Sequence, residues 1–308
     1  MTFSVFADGS HIPVMGFGTW QSKPGEVGNA IKVALEVGYR HFDLAYAYQN
    51  QKEIGIAFAE AFASGKYKRE DLFITSKLFN CHHHAKDVFP EFKQTITDLK
   101  LDYLDLYLMH SPICYANTGE VYPKNEDGTT KLDPDPVPVI ETWTEMEKIK
   151  EDGLAKHIGV SKFNVQLLND LYAAAKIKPE DHQIEIHPYH QQKGMIDFCT
   201  KKKIHVTAFT PIAQMRSDGS VNPTQEPILQ KIAAKHKKTV AQIMLRWGFQ
   251  RSPIISVIPK SVTPARIKEN FEVFDFELDA ADMAEISTLD RKQSIFDFPK
   301  MYGIPLFD

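Results

Sequence analysis

Several absences bound this sequence before any motif does. Its 308 residues hold only three cysteines, Cys81, Cys114 and Cys199, set far apart with no Cys-x-x-Cys pair. A disulfide framework and a thiolate metal site are therefore not expected, and no metal is. Strong charge is missing too: a net charge of -4 with both signs interspersed leaves no basic footprint for nucleic acid and no general attraction to an anionic membrane. No apolar run is long enough to cross a bilayer, and the opening MTFSVFADGS lacks a basic segment followed by an apolar one, so neither a membrane span nor a secretory leader is expected. Internal repeats, low-complexity tracts and an interdomain linker are absent as well. These exclusions lead to a cytoplasmic protein of one domain, residues 1–308, with no obligate protein partner.

What is present is a hydrophobic content of 43%, enough for a large core. After a hairpin turned at Asp8-Gly9, apolar strand-like runs alternate with helix-period segments. Strands are expected at Met15 to Gly18, His41 to Leu44, Leu72 to Ser76, Leu104 to Met109, His157 to Val160, Gln183 to Ile186, His205 to Ala208 and Ile254 to Val257. Helices are expected at Val27 to Val37, Gln51 to Phe62, Val88 to Leu99, Val139 to Lys150, Val165 to Ala175 and Val240 to Gln250. Eight such repeats fit an α/β fold of the single (β/α)8 TIM-barrel type. The competing doubly wound sheet would carry a G-x-G-x-x-G turn after its first strand. Gly16 and Gly18 supply only GFGTWQ. Three segments resist assignment, Ser111 to Pro138, Thr210 to Pro227 and Arg291 to Asp308, and long loops of this kind are expected to cover the C-terminal face of the barrel.

A barrel collects its functional residues at the C-terminal ends of many strands. Here Asp43, Lys77, His110, Ser161, Phe209 and Lys260 each follow an apolar strand. Asp43 and Tyr48 in GYRHFDLAYAYQNQKEIG, with Lys77 and His110, offer a carboxylate, a phenol, an ammonium and an imidazole. Singly, each has a plain structural explanation: a rim ion pair, an ordinary aromatic, a loop histidine. Four of them on one face are better explained as one site. A phenol with a reference pKa of about 10 needs a nearby cation to act as an acid at neutral pH. Lowering it by about two units takes roughly 2.7 kcal/mol, and an ammonium about 4 Å away supplies about 4 kcal/mol at an effective dielectric near 20. Lys77 can thus tune Tyr48 in a partly dry cleft, with Asp43 keeping Lys77 charged and a neutral His110 orienting a substrate oxygen.

The segment IPKSVTPARIKEN brings Lys260, Ser261, Thr263 and Arg266 to a helix start, which suits a phosphate monoester better than a merely capped helix. Other clusters read as structural. The run His82 to His84 is expected to be a solvated loop, since three adjacent side chains do not share a face for a metal. Lys201 to Lys203 read as an exposed helix end.

At these two segments the chain resembles an aldo-keto reductase of the aldose and xylose reductase-like branch, over nearly its full length. The resemblance implies a barrel that binds NADPH without a Rossmann domain, with NADH weaker, and reduces aldehydes, aldoses and other small carbonyl compounds. It implies Tyr48 as acid, Lys77 and Asp43 as its tuning pair and His110 as substrate-orienting. The implied cofactor site comprises Gly18, Thr19 and Trp20 near the nicotinamide; Asp43, Ser161, Lys162 and Gln183; and Phe209, stacked on the ring, with Thr210, Pro211 and Ile212. Lys260, Ser261, Val262, Thr263 and Arg266 would hold the 2′-phosphate, and Glu269 and Asn270 the adenine. The implied substrate pocket is Trp20, Tyr48, Phe79, His110 and Ser111. Three departures stand out: Lys162 where the family has asparagine, Phe209 and Thr210 for tyrosine and serine, and Ser111 for a bulky aromatic. Two rival readings share the barrel: a non-catalytic NADPH-binding scaffold, which an intact tetrad disfavours, and a lyase or isomerase using Lys77 as a Schiff base. The second is disfavoured by Asp43, which would hold that amine protonated.

Overall fold

In a computed structural model of the chain, residues 2–213, 222–296 and 304 are described. Parts of the second and third loop segments expected from the sequence lie outside these residues. The chain opens with a hairpin, β1 (Phe3–Val5) and β2 (His11–Pro13), paired antiparallel with Ser4 opposite Ile12. At its turn Asp8 accepts from the Ser10 amide at 2.9 Å, and Gly9 takes φ +88°.

The βα units follow in chain order. They run β3 (Gly16–Gly18), α1 (Val27–Val37), β4 (His41–Asp43), α2 (Gln51–Ala63), β5 (Phe73–Leu78), α3 (Ala85–Leu99), β6 (Leu104–Met109) and α4 (Val139–Glu151). Then come β7 (Ala155–Ser161), α5 (Val165–Ala174), β8 (Asp181–Glu185), α6 (Lys193–Lys202), β9 (His205–Phe209), α7 (Pro227–His236), α8 (Val240–Gln250), β10 (Ile255–Val257), α9 (Pro264–Phe271) and α10 (Ala280–Ser287). The strand order of the sheet from β3 to β10 is the order along the chain. Parallel bridges join Met15 to Val257 and Gly18 to Lys260, so the eight parallel strands form a nearly closed barrel, as the alternation predicts.

By its internal contacts the chain divides into two units, Met1–Asp43 with Gln183–Ile295, and Leu44–His182 with Phe296–Asp308. In the first, Phe17 meets Tyr39 and Phe42 edge-on at 5.5 and 6.1 Å. Its helices show why they form. In α1 the buried Val27, Ala30, Ile31, Ala34 and Leu35 make one apolar stripe, and the helix stops at Gly38, φ +122°, whose amide returns to the Ala34 carbonyl. Helix α8 starts at a capping box between Thr239 and Gln242.

In the second unit, β5 and β6 are buried at every position and pair in register from Thr75 with Leu106 to Leu78 with Met109. This continuous burial is the mark of a parallel sheet covered on both faces. Helices α2 and α3 touch through their backbones: a Cβ on Gly55 would sit 2.2 Å from the Asp98 carbonyl oxygen. That contact requires the glycine closing the GYRHFDLAYAYQNQKEIG segment.

Candidate active site

A lysine fully inside a strand is costly unless its charge is met. Lys77, the penultimate residue of β5, is wholly buried, and its Nζ donates to the Leu44 carbonyl at 2.8 Å and to the Tyr48 hydroxyl oxygen at 3.2 Å. Tyr48 closes a 3-10 turn that begins at Tyr46 and is half-buried. Its oxygen accepts from the ammonium, so the hydroxyl acts as acceptor toward Lys77 and keeps its own proton as a donor.

His110 follows β6 directly, one residue past the Leu78–Met109 pair of the β5–β6 register, and its amide donates to the Leu78 carbonyl at 3.0 Å. Its ring meets Tyr48 edge-on at 5.8 Å and Phe79 at 5.7 Å. Nδ1 is buried without a hydrogen-bond partner among the described residues. Burial, then the charges of Lys162, Lys77 and His83, hold the imidazole well below its ordinary pKa. The ring is thus neutral at physiological pH, with one nitrogen able to donate.

Around this trio, Phe79 packs edge-on against Tyr115 at 5.7 Å and Tyr122 at 5.3 Å. The Tyr122 hydroxyl donates to the Ala47 carbonyl at 3.0 Å, one residue before Tyr48. Both tyrosines come from the segment after β6. Composition gave no sign of them as pocket walls, though CYANTGEVY is the aromatic-bearing part of that loop. Ser111 is fully buried, and its hydroxyl accepts from the Ile113 amide at 3.2 Å.

The histidine run is not a solvated loop. His82 pairs with Glu91, His83 Nδ1 lies 3.2 Å from the Cys114 sulfur, and His84 lies 2.7 Å from Asp133. The backbone changes at each histidine, with His82 closing a 3-10 turn over Asn80–His82, His83 still helical and His84 extended before α3, so each side chain finds its own partner. Glu91, buried in α3, also accepts from the Phe79 amide at 3.0 and 3.1 Å. The run therefore ties the post-β6 segment and the Phe79 backbone to α3.

In the other unit, Asp43 ends β4 and is buried. Its carboxylate accepts from Gln183 Nε2 at 2.7 Å, and its carbonyl from the Thr19 hydroxyl at 2.9 Å. Gly18 pairs with Asp43 in the β3–β4 register, and its amide donates to the Pro259 carbonyl at 2.9 Å. Trp20, Phe209, Thr210 and Ile212 are half-buried and Pro211 is buried. Thr210, at φ +47°, keeps a buried hydroxyl without a partner among the described residues.

Lys260 Nζ donates to the Gln21 carbonyl at 3.1 Å, and partial burial lowers its pKa against the pull of Glu26. Ser261 accepts from the Thr263 amide at 3.1 Å. Thr263 caps α9 without a side-chain cap bond, and the first turn of α9 carries no acid. Arg266 is exposed in that turn, and Val262 is half-buried before it. Glu269 accepts from the Thr239 hydroxyl at 3.0 Å, and Asn270 is buried. A helix start with no acid in its first turn and with Lys260 and Arg266 beside it fits a phosphate. Ser161, at the end of β7, likewise keeps a buried hydroxyl without a partner among the described residues.

Comparison with known proteins identifies relatives over the whole chain. The Aldo/keto reductase family profile matches residues 14–291. Aldose reductase B of Dictyostelium discoideum is 47% identical, over 100% of this chain and 98% of its own. Aldo-keto reductase family 1 member A1 of Gallus gallus is 46% identical, over 94% and 89%. The solved aldose reductase of Schistosoma japonicum superposes with a TM-score of 0.92 at 41% identity, covering 100% of this chain and 98% of that one. That of Giardia lamblia gives 0.90 at 42%, covering 96% and 98%.

Proposed function

The chain belongs to the aldo/keto reductase family and is an oxidoreductase, and from that premise we propose that it reduces aldehydes, aldoses and other small carbonyl compounds included, with NADPH as reductant and Tyr48 as general acid. The observation that carries the reading is the hydrogen bond from the buried Lys77 ammonium to the Tyr48 oxygen at 3.2 Å. A cation there stabilises the tyrosinate left behind after proton transfer and so strengthens the phenol as an acid.

Bound reduced nicotinamide supplies the hydride for the carbonyl carbon. Tyr48 gives its proton to the carbonyl oxygen as negative charge develops there. His110, neutral and buried, donates to the same oxygen and orients it, and the aromatic wall of Phe79, Tyr115 and Tyr122 excludes water from the exchange. Lys260, Ser261, Thr263 and Arg266 would hold the 2′-phosphate, which favours NADPH over NADH because without that anion two cations lose their shared partner. Three buried free thiols support a cytoplasmic, reducing location.

The test is loss of NADPH absorbance with a panel of aldehydes, sugars and ketones, NADH run in parallel. Aldehyde turnover with NADPH well above that with NADH is the expected result. Cofactor binding with no turnover of any carbonyl compound would overturn the reading and leave a non-catalytic NADPH-binding protein.

A further inference from the structure

Lys162 stands in the turn after β7 at φ +60°, a left-handed conformation that asparagine and glycine adopt readily and lysine does not. An asparagine, the residue the family resemblance leads one to expect, suits this backbone better by something of order 1 kcal/mol. The lysine is instead turned to a different use. Its Nζ donates to the His110 carbonyl at 3.2 Å, while the His110 amide donates to the Leu78 carbonyl at 3.0 Å. Both backbone polar groups of His110 are thus fastened, one to β5 and the other to the turn after β7.

We propose that Lys162 is a positioning residue acting through His110, clamping its backbone and setting a fixed positive charge beside a ring that has to donate a hydrogen bond without becoming a cation. The proposal rests on the reading of His110 as the residue that orients the carbonyl oxygen. The groups facing the ring are Lys77 from β5, Lys162 from the turn after β7, His83 from the turn before α3, Tyr48 from its 3-10 turn and the apolar edge of Phe79. The three basic groups all oppose protonation of His110, with Lys162 the largest of them after burial itself. Nδ1 has no hydrogen-bond partner among the described residues. A second proton would put an N–H on both ring nitrogens, leaving the buried Nδ1–H unmet and a cation beside the two lysines. An uncharged asparagine at 162 would remove one of two lysine charges and leave the other.

The decisive experiment follows the His110 ring by NMR on the full-length, cofactor-free protein labelled with 13C-histidine, its resonance assigned with His110→Gln. Lys162→Met and Lys162→Asn are expected to raise the proton affinity of His110 about tenfold, the effect of one ammonium at this range in a partly dry site. Lys162→Arg is expected to keep the wild-type titration. With p-nitrobenzaldehyde and NADPH, the acid limb of kcat should move to higher pH in the Met and Asn variants by the same factor. An unchanged His110 titration in those variants overturns the proposal, and so does a rise in NADPH Kd with no change in the ring, which would make Lys162 a cofactor contact alone. Should the wild type reduce no aldehyde while the variants still shift the His110 titration, the clamp stands and the reductase reading fails.

Discussion

At the scale of single residues, the proposed chemistry turns on a phenol that is ordinarily too weak an acid. Lys77 meets its oxygen at 3.2 Å from inside a strand with no exposure, where the ammonium is worth more than in water. Removing the proton donor while keeping the ring isolates this role. Tyr48→Phe is expected to cut kcat at least 100-fold, the lower end of what a general acid contributes, with NADPH Kd within about twofold of wild type by fluorescence quenching. Turnover near wild type would remove Tyr48 from the chemistry. Lys260 and Arg266 are tested by discrimination. A charge-assisted contact is worth about 1.5–3 kcal/mol, so Lys260→Ala or Arg266→Ala should raise KM for NADPH roughly 10- to 100-fold and KM for NADH far less. Equal changes for both cofactors would strip the α9 start of its phosphate role.

At the scale of elements, what the sequence revealed depended on how plainly each residue's environment was written in its neighbours. Both ends of α1 and α8 fall where periodicity set them, because a glycine stop and a capping box lie at the boundaries. Strand β5 runs on to Leu78 rather than ending at Ser76: a buried lysine looks like the end of an apolar run, since its partners Leu44 and Tyr48 are remote in sequence. Helices α7 and α10 were hidden by thin buried faces, Leu229, Ile232 and Ala233 in one and Asp282 and Ile286 in the other. Tyr48, Lys77 and His110 were legible as strand-end chemistry, whereas Tyr115 and Tyr122 were not, because only the tertiary path of the post-β6 segment brings them to Phe79. Histidines 82 to 84 misled because adjacency does not reveal that the backbone passes from a 3-10 turn at His82 to an extended His84, giving each ring its own partner. Gly55 tests the packing of α2 on α3. An exposed helical glycine replaced by alanine gains about 0.5–1 kcal/mol, but here the new Cβ would lie 2.2 Å from a backbone oxygen. Gly55→Ala is therefore expected to cost about 1–3 kcal/mol, read as a lower urea midpoint; a midpoint at or above wild type would mean the helices separate freely.

At the scale of the whole molecule, buried neutral histidines couple the fold to pH. His83 and His182 are fully enclosed, and burial lowers each to about 3, while His110 and His190 move the same way. In the unfolded chain these rings titrate near 6.5. Below that value the unfolded state takes up protons that the folded state refuses, so stability falls as pH drops from about 7 toward 3. At pH 5 the difference is about 1.5 pH units for each of His83 and His182, or about 2 kcal/mol apiece. His82 works in the opposite direction: its pKa is raised through Glu91, so its contribution is present below 6.5 and lost at higher pH. It offsets only part of the loss. The lowered carboxyls of Glu180 and Glu185, held by His157 with Lys150 and by His187, hold their contribution until pH falls below about 4.5 and then give it up. The midpoint of urea unfolding is therefore expected to drop between pH 7 and pH 5, before carboxylates titrate. In His182→Gln, whose side-chain carbonyl can still accept from the Phe163 amide as His182 Nε2 does at 3.1 Å, the drop should be smaller by about 2 kcal/mol. A midpoint that stays flat from pH 7 to pH 5 in the wild type would show that these rings take up protons in the folded protein, His110 of the proposed site among them.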